Sequence, residues 1–151
     1  IAIIGRSLGG AATVFANPDA DVIVLESVYP TLAEAVRNRL QMRMGFFHHI
    51  VAPLLLVQLN PRLNVALDEL RPIAEIQNIR CPVLFASGDC DEHTTISETK
   101  RMFDAANEPK ALVVFNGAGH VDLLAHDPSE YEKEIVEYMN QIIGTRIHEA
   151  E

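Results

Sequence analysis

Cysteine is scarce, basic residues are in the minority, and no apolar run is long. Only two cysteines occur among 151 residues, Cys81 and Cys90, each beside a predicted strand. That count excludes a disulfide scaffold and a CxxC metal or redox motif, and leaves both thiols as reduced packing residues. Twelve Lys and Arg stand against 21 Asp and Glu, a net charge of −9 with no basic stripe. Nucleic acid and anionic membranes are therefore excluded as main partners. No stretch reaches the ~18 to 20 uninterrupted apolar residues of a spanning helix. The most apolar run, His49 to Leu59, is shorter and contains Gln58, so no transmembrane segment is expected. Neither an internal repeat nor a low-complexity tract is present, and no signal segment is visible, so a cytoplasmic location is the expectation.

What is there reads as one domain with a sizeable core, since 48% of the residues are hydrophobic. Four short runs rich in β-branched and large apolar residues stand out, at 1–4, 22–25, 83–86 and 111–115. None alternates with polar residues, which is how parallel strands covered on both faces read. Helix signals fill the intervals. Thr31 with Glu34 and Thr95 with Glu98 have capping-box spacing, and Asp127-Pro128-Ser129-Glu130 places an N-cap before a proline and a glutamate. Apolar residues then recur at Tyr131, Ile135, Tyr138 and Ile142, and Gly144 is expected to close that helix. The alternation predicts an α/β fold, a doubly wound and mostly parallel sheet of about four strands. Residues 45–80 are apolar and broken by Pro53, Pro61 and Pro72. They read either as helices covering the core or as a small cap over a lipophilic pocket.

The chemistry is concentrated in three places. Gly5-Arg6-Ser7-Leu8-Gly9 fits G-x-S-x-G, with an apolar strand before it and the small residues of a helix start after it. A strand-to-helix turn this tight strains the serine backbone, and Gly5 and Gly9 are expected to be small to avoid clashes. The turn lifts the Ser7 hydroxyl clear of the sheet, and the Leu8 N–H at the helix start is positioned for an oxyanion. After the third strand comes Ser87-Gly88-Asp89-Cys90-Asp91-Glu92-His93, and after the fourth Asn116-Gly117-Ala118-Gly119-His120. Both segments fall at carboxyl ends of parallel strands, where open α/β sheets place their sites. Serine, carboxylate and histidine in that order suit nucleophilic catalysis, because imidazole both takes and returns the serine proton while a carboxylate fixes its tautomer.

Other groups have plainer readings. Glu26 ends the second strand in a capping or loop role, with an acid role as its alternative. His93 reads as a surface or helix-entry residue, His48 and His49 as lining the insertion, and His126 and His148 as solvated. Asp122 is expected to anchor the histidine loop. The set Asp89, Asp91, Glu92, His93, His120 and Asp122 has ligand types for a metal hydrolase, but no HExxH-like spacing supports it. A nucleotide-binding reading meets neither GxGxxG nor GxxxxGK[ST] in Gly5-x-x-x-Gly9-Gly10.

On GRSLGG at 5–10, LESVYPTL at 25–32, CPVLFASGDCDEHT at 81–94 and GAGHVDL at 117–123, the chain resembles the α/β-hydrolase superfamily over almost its whole length. The resemblance implies the part of one such domain from the nucleophile strand onward. It carries a helical, cap-like insertion at about 31–80, and the domain's N-terminal part is missing from residues 1–151. It implies that Ser7 is the nucleophile, His120 the base and Asp91 the acid, with Asp89 as the nearer alternative acid and no cofactor or metal. The implied activity is that of a serine hydrolase cleaving an ester, thioester or amide, on a small molecule with a hydrophobic acyl or alcohol group. A second oxyanion donor is implied from a loop after an earlier strand, so a catalytically incomplete fragment stands as the alternative.

Overall fold

The computed structural model describes residues 1–149. Four strands form one sheet: β1 (Ala2–Arg6), β2 (Val22–Glu26), β3 (Val83–Gly88) and β4 (Lys110–Phe115). They pair in the order β1-β2-β3-β4, all parallel. Each predicted apolar run lies in one of them, with bounds shifted by one or two residues. The register aligns the strand ends, Arg6 opposite Glu26, Glu26 opposite Ala86 and Gly88 opposite Phe115. Every residue of β2 and β3 is buried, as the absence of alternation requires for central strands.

Successive side chains of a strand point to opposite faces, and the core divides accordingly. Ile23, Leu25 and Phe85 pack on one face with Val14, Ile76 and Met102. Val24, Leu84 and Phe115 pack on the other with Leu123, Tyr131 and Ile135. The helices are α1 (Leu8–Ala16), α2 (Leu32–Met44), α3 (His48–Leu56), α4 (Leu59–Leu63), α5 (Pro72–Glu75), α6 (Ile96–Ala105), α7 (Leu123–His126), α8 (Pro128–Tyr131) and α9 (Glu137–Glu149). A π turn over Glu132–Val136 joins α8 to α9.

The caps follow the chemistry of their residues. Thr95 and Glu98 form a reciprocal capping box on α6. Thr31 accepts the Glu34 N–H at the start of α2, while the Glu34 carboxylate turns outward to Arg101 at 2.6 Å. Asp127 accepts the Glu130 N–H at 3.0 Å. Gly144, by contrast, does not end its helix. It lies inside α9, outside the left-handed conformation that lets a glycine cap, and the helix continues to Glu149.

The insertion is helical but covers little. Within Gly45–Leu56 only His48 and Ala52 are buried, and Phe46, Phe47, Ile50, Leu54 and Leu55 are exposed, so it does not serve as a blanket over the core. Among the described residues one helical stretch, Leu32–Arg62, is long and apolar enough to cross a bilayer by length and composition. Counting only uninterrupted apolar residues hides it, because arginines and prolines break the run. It is not one straight rod: Gly45, at φ 51°, ends α2, and α3 turns back to pack against α2.

Candidate active site

Each element ends by handing a side chain to the carboxyl edge of the sheet. Ser7 follows β1 directly and is the residue from which α1 starts, with φ 50° and ψ −114°. A non-glycine residue rarely adopts that conformation, and here it is held on both sides: the Ser7 N–H donates to the Glu26 carbonyl at 2.8 Å, and its own carbonyl accepts from Ala11. Tight packing fixes the turn from beneath. A Cβ on Gly5 would lie 2.7 Å from the Gly10 Cα, and one on Gly10 would lie 2.1 Å from Val28 Cγ2. Gly9 has open space around it, which corrects the expectation that Gly5 and Gly9 are the pair required to be small. First-turn N–H groups of a helix, here that of Leu8 included, have no intrahelical acceptor, and the Ser7 side chain does not take them up.

At the end of β3, Gly88 lets the chain pass against the loop that follows β4, where a Cβ would lie 2.0 Å from the Ala118 carbonyl oxygen. Backbone bonds from Asp89 to Phe115 and from Cys90 to Ala118 zip the two loops together. The structure brings three of the sequence-predicted residues into one line. His120 Nδ1 lies 2.8 Å from Asp91 Oδ2, and His120 Nε2 lies 3.1 Å from Ser7 Oγ. The Asp91 side chain is fully buried, while that of His120 is 19% exposed. Asp91 Oδ1 also accepts the N–H groups of His93 and Thr94, at 2.8 and 2.9 Å. Burial is the largest influence on the Asp91 carboxyl and pushes it up. The hydrogen bonds from His120 and the Thr94 N–H, with the charge of His120, outweigh it and hold the group below the ordinary aspartate range.

The remaining candidates sit elsewhere. Asp89 accepts the Gly117 N–H at 2.7 Å and braces the two loops. Glu26 is neither a cap nor a loop residue: it is buried, and its Oε1 accepts the Tyr131 hydroxyl at 2.6 Å. Burial raises its carboxyl above the usual range, with the Tyr131 bond opposing. Asp122 caps α7 through the Ala125 N–H and pairs with Arg6 at 3.4 Å. Among the described residues no three His, Cys, Asp or Glu side chains converge as metal ligands. Cys90 is exposed rather than packed, because its loop lies outside the sheet. His48 is buried with Nδ1 2.7 Å from the Gly45 carbonyl, and His49 stacks obliquely on it. His126 Nε2 lies 3.1 Å from the Asn116 carbonyl, and the side chain of His148 lies outside the described residues.

Two neighbours escaped the sequence reading. His93 is no simple surface residue: its ring stacks on His120 with centroids 4.8 Å apart and planes 15° apart. Burial, then the charges of His120 and Arg39, hold His93 below the ordinary imidazole range, so it is neutral near pH 7. Arg39 of α2 reaches back to the site, its Nη2 3.4 Å from Ser7 Oγ and its Nη1 on the Ala35 carbonyl at 3.0 Å. Nothing in the spacing of α2 signals that reach, which depends on how the insertion folds over the sheet edge. The position of His93 two residues after Asp91 is its one sequence clue.

No protein-family model matches the chain. It is 33% identical over 125 residues to the uncharacterised protein Rv2307c of Mycobacterium tuberculosis, an alignment that takes in 81% of the chain and 38% of that protein. The chain thus spans well under half the length of this curated relative. The Pyrococcus furiosus esterase Pf2001 superposes on 93% of the chain and 53% of its own with a TM-score of 0.68, at 16% identity. A Paleococcus ferrophilus monoacylglycerol lipase matches 93% of the chain and 68% of its own, with a TM-score of 0.60 and 21% identity. A four-stranded parallel sheet flanked by helices, superposable on these enzymes, is part of an α/β-hydrolase fold, and that is the fold of this chain.

Proposed function

We propose that the protein to which this chain belongs is a serine hydrolase that cleaves an ester, thioester or amide through an acyl-enzyme. The observation that carries the reading is the continuous line Asp91 Oδ2, His120, Ser7 Oγ, with both contacts at hydrogen-bond length. The superposable structures of an esterase and a lipase support an ester as the substrate class.

The geometry supports the following steps. Ionised Asp91 accepts the Nδ1 proton of His120, which leaves Nε2 with its lone pair toward Ser7. As Ser7 Oγ attacks the scissile carbonyl carbon, Nε2 takes the hydroxyl proton, and the imidazolium is stabilised by the buried carboxylate. The carbonyl oxygen becomes an oxyanion toward the Leu8 N–H, at the positive end of α1. Collapse of that intermediate breaks the bond to the leaving group, which takes the proton from Nε2. Water then repeats the sequence on the acyl-Ser7 ester and releases the acid. The chain supplies these groups without a cofactor, and the exposed apolar residues of the insertion favour a hydrophobic acyl or alcohol portion.

The test is a fluorophosphonate probe on the full-length protein, followed by peptide mapping. Label is expected on Ser7 and lost in Ser7→Ala. An intact, folded protein left unlabelled at Ser7 overturns the reading, and activity abolished by chelators would favour a metal hydrolase instead.

A further inference from the structure

Arg39 and Arg43 stand one helical turn apart on α2, a spacing that places both side chains on one face. Together with Leu40, Met42 and His93 they line a cavity of about 350 Å³ that adjoins Ser7 through the Arg39 guanidinium. No acidic residue lines it. Among the described residues, neither arginine has a carboxylate within 4 Å, whereas Arg6 and Arg101 on the surface both do. The neighbouring sequence maintains that imbalance. Between Glu34 and Asp68 there is no Asp or Glu, yet four arginines occur, in a chain whose net charge is −9. His93, held neutral, adds no charge to the cavity and offers a flat wall beside His120.

A guanidinium pair in a concave site, unneutralised by the protein and with Arg39 Nη2 3.4 Å from the serine oxygen, is built for an oxyanion. We infer that Arg39 and Arg43 form a subsite for an anionic group of the substrate, a carboxylate or phosphate a few atoms from the scissile carbonyl. This rests on the serine hydrolase reading and narrows its substrate class to esters that carry both an apolar portion and a negative charge. Leu40 and Met42 contact the carbon atoms between the charge and the ester, and the arginines fix which end enters. Arg39 then has two tasks: to hold the anion and to fix the Ser7 hydroxyl against α2 until substrate arrives.

The experiment uses the full-length protein and two matched substrate pairs. On the acyl side, 4-nitrophenyl hydrogen succinate is compared with its neutral isostere, 4-nitrophenyl 4-methylpentanoate. On the alcohol side, butyryl glycerol phosphate is compared with butyryl glycerol. In one pair, kcat/KM of the wild type is expected to favour the anionic ester by roughly 10- to 100-fold, the range of one charge-assisted contact or two. The pair that shows the preference identifies carboxylate or phosphate. Arg39→Gln and Arg43→Gln, each verified by thermal melting, should collapse the ratio, and Arg43→Glu should invert it. A wild-type ratio within about threefold of unity in both pairs overturns the inference, as does a ratio that survives the substitutions. Calorimetry on Ser7→Ala with succinate and with inorganic phosphate tests the subsite without turnover. Binding that is lost in Ser7→Ala/Arg39→Gln upholds the subsite even if Ser7 proves unreactive, and binding of neither anion overturns the subsite while leaving Ser7 labelling to decide the hydrolase reading.

Discussion

At the scale of single residues, two carboxylates two positions apart in one loop behave differently because their partners differ. Asp91 faces His120, and Asp89 faces the Gly117 N–H. Asp91→Asn in the full-length protein is therefore expected to lower kcat by about 10⁴, through loss of the correct imidazole tautomer, in a protein that still folds. Asp89→Asn should cost far less in kcat, and ester turnover under saturating substrate checks both. Glu26 supports a prediction about pH. Its carboxyl is raised in the folded state, so the fold binds that proton more tightly than the unfolded chain. The associated stability is complete below the unfolded value of 4.5 and is lost as pH rises through the higher folded value. Glu26→Gln, which keeps an acceptor for Tyr131 without the buried charge, should flatten that decline, read as Tm against pH from 4 to 8. Asp91 has the opposite sign: its contribution is present above the unfolded 3.8 and is lost as pH falls through a lower folded value.

At the scale of elements, the strand-to-helix turn rests on two glycines in contact, Gly5 and Gly10, across β1 and α1. Gly10→Ala forces a Cβ into Val28 and the Gly5 carbonyl, and is expected to cost about 1 to 3 kcal/mol or more in urea unfolding. Gly9→Ala places its methyl in open space on a helix and should stabilise by up to ~1 kcal/mol. The motif letters G-x-S-x-G did not distinguish these cases. Which glycine is crowded depends on where α1 crosses β1, and that is decided by Val28 from a different strand end. The strands were legible for a simpler reason, since unbroken apolar runs such as Val22 to Leu25 have one comfortable place, inside a two-sided sheet. The end of α9 was not, because a glycine stops a helix only where it takes up the left-handed conformation, and Gly144 does not. The Arg101–Glu34 pair bridging α6 to α2 is half exposed on the arginine side. Arg101→Ala should change global stability by less than about 1 kcal/mol.

At the scale of the whole molecule, the three aligned side chains come from residues 7, 91 and 120, and the insertion lies between the first and the second. Their order along the chain was readable, because a parallel sheet collects its strand ends on one edge. Their company was not: Arg39 and His93 arrive through packing of α2 and of the loop after β3, which leave no periodic trace. The sheet register also sets how precisely the site is assembled. Adjacent residues of a strand are separated by ~3.3 Å and point to opposite faces, so a slip of β4 by one position against β3 would displace His120 by more than the tolerance of a hydrogen bond. Such a molecule would keep its helices and sheet in a circular dichroism spectrum and lose the alignment of Ser7, His120 and Asp91. Active-site titration against total folded protein is thus a sensitive gauge of misassembly, reporting which molecules have paired Gly88 with Phe115 and which have mispaired by one step.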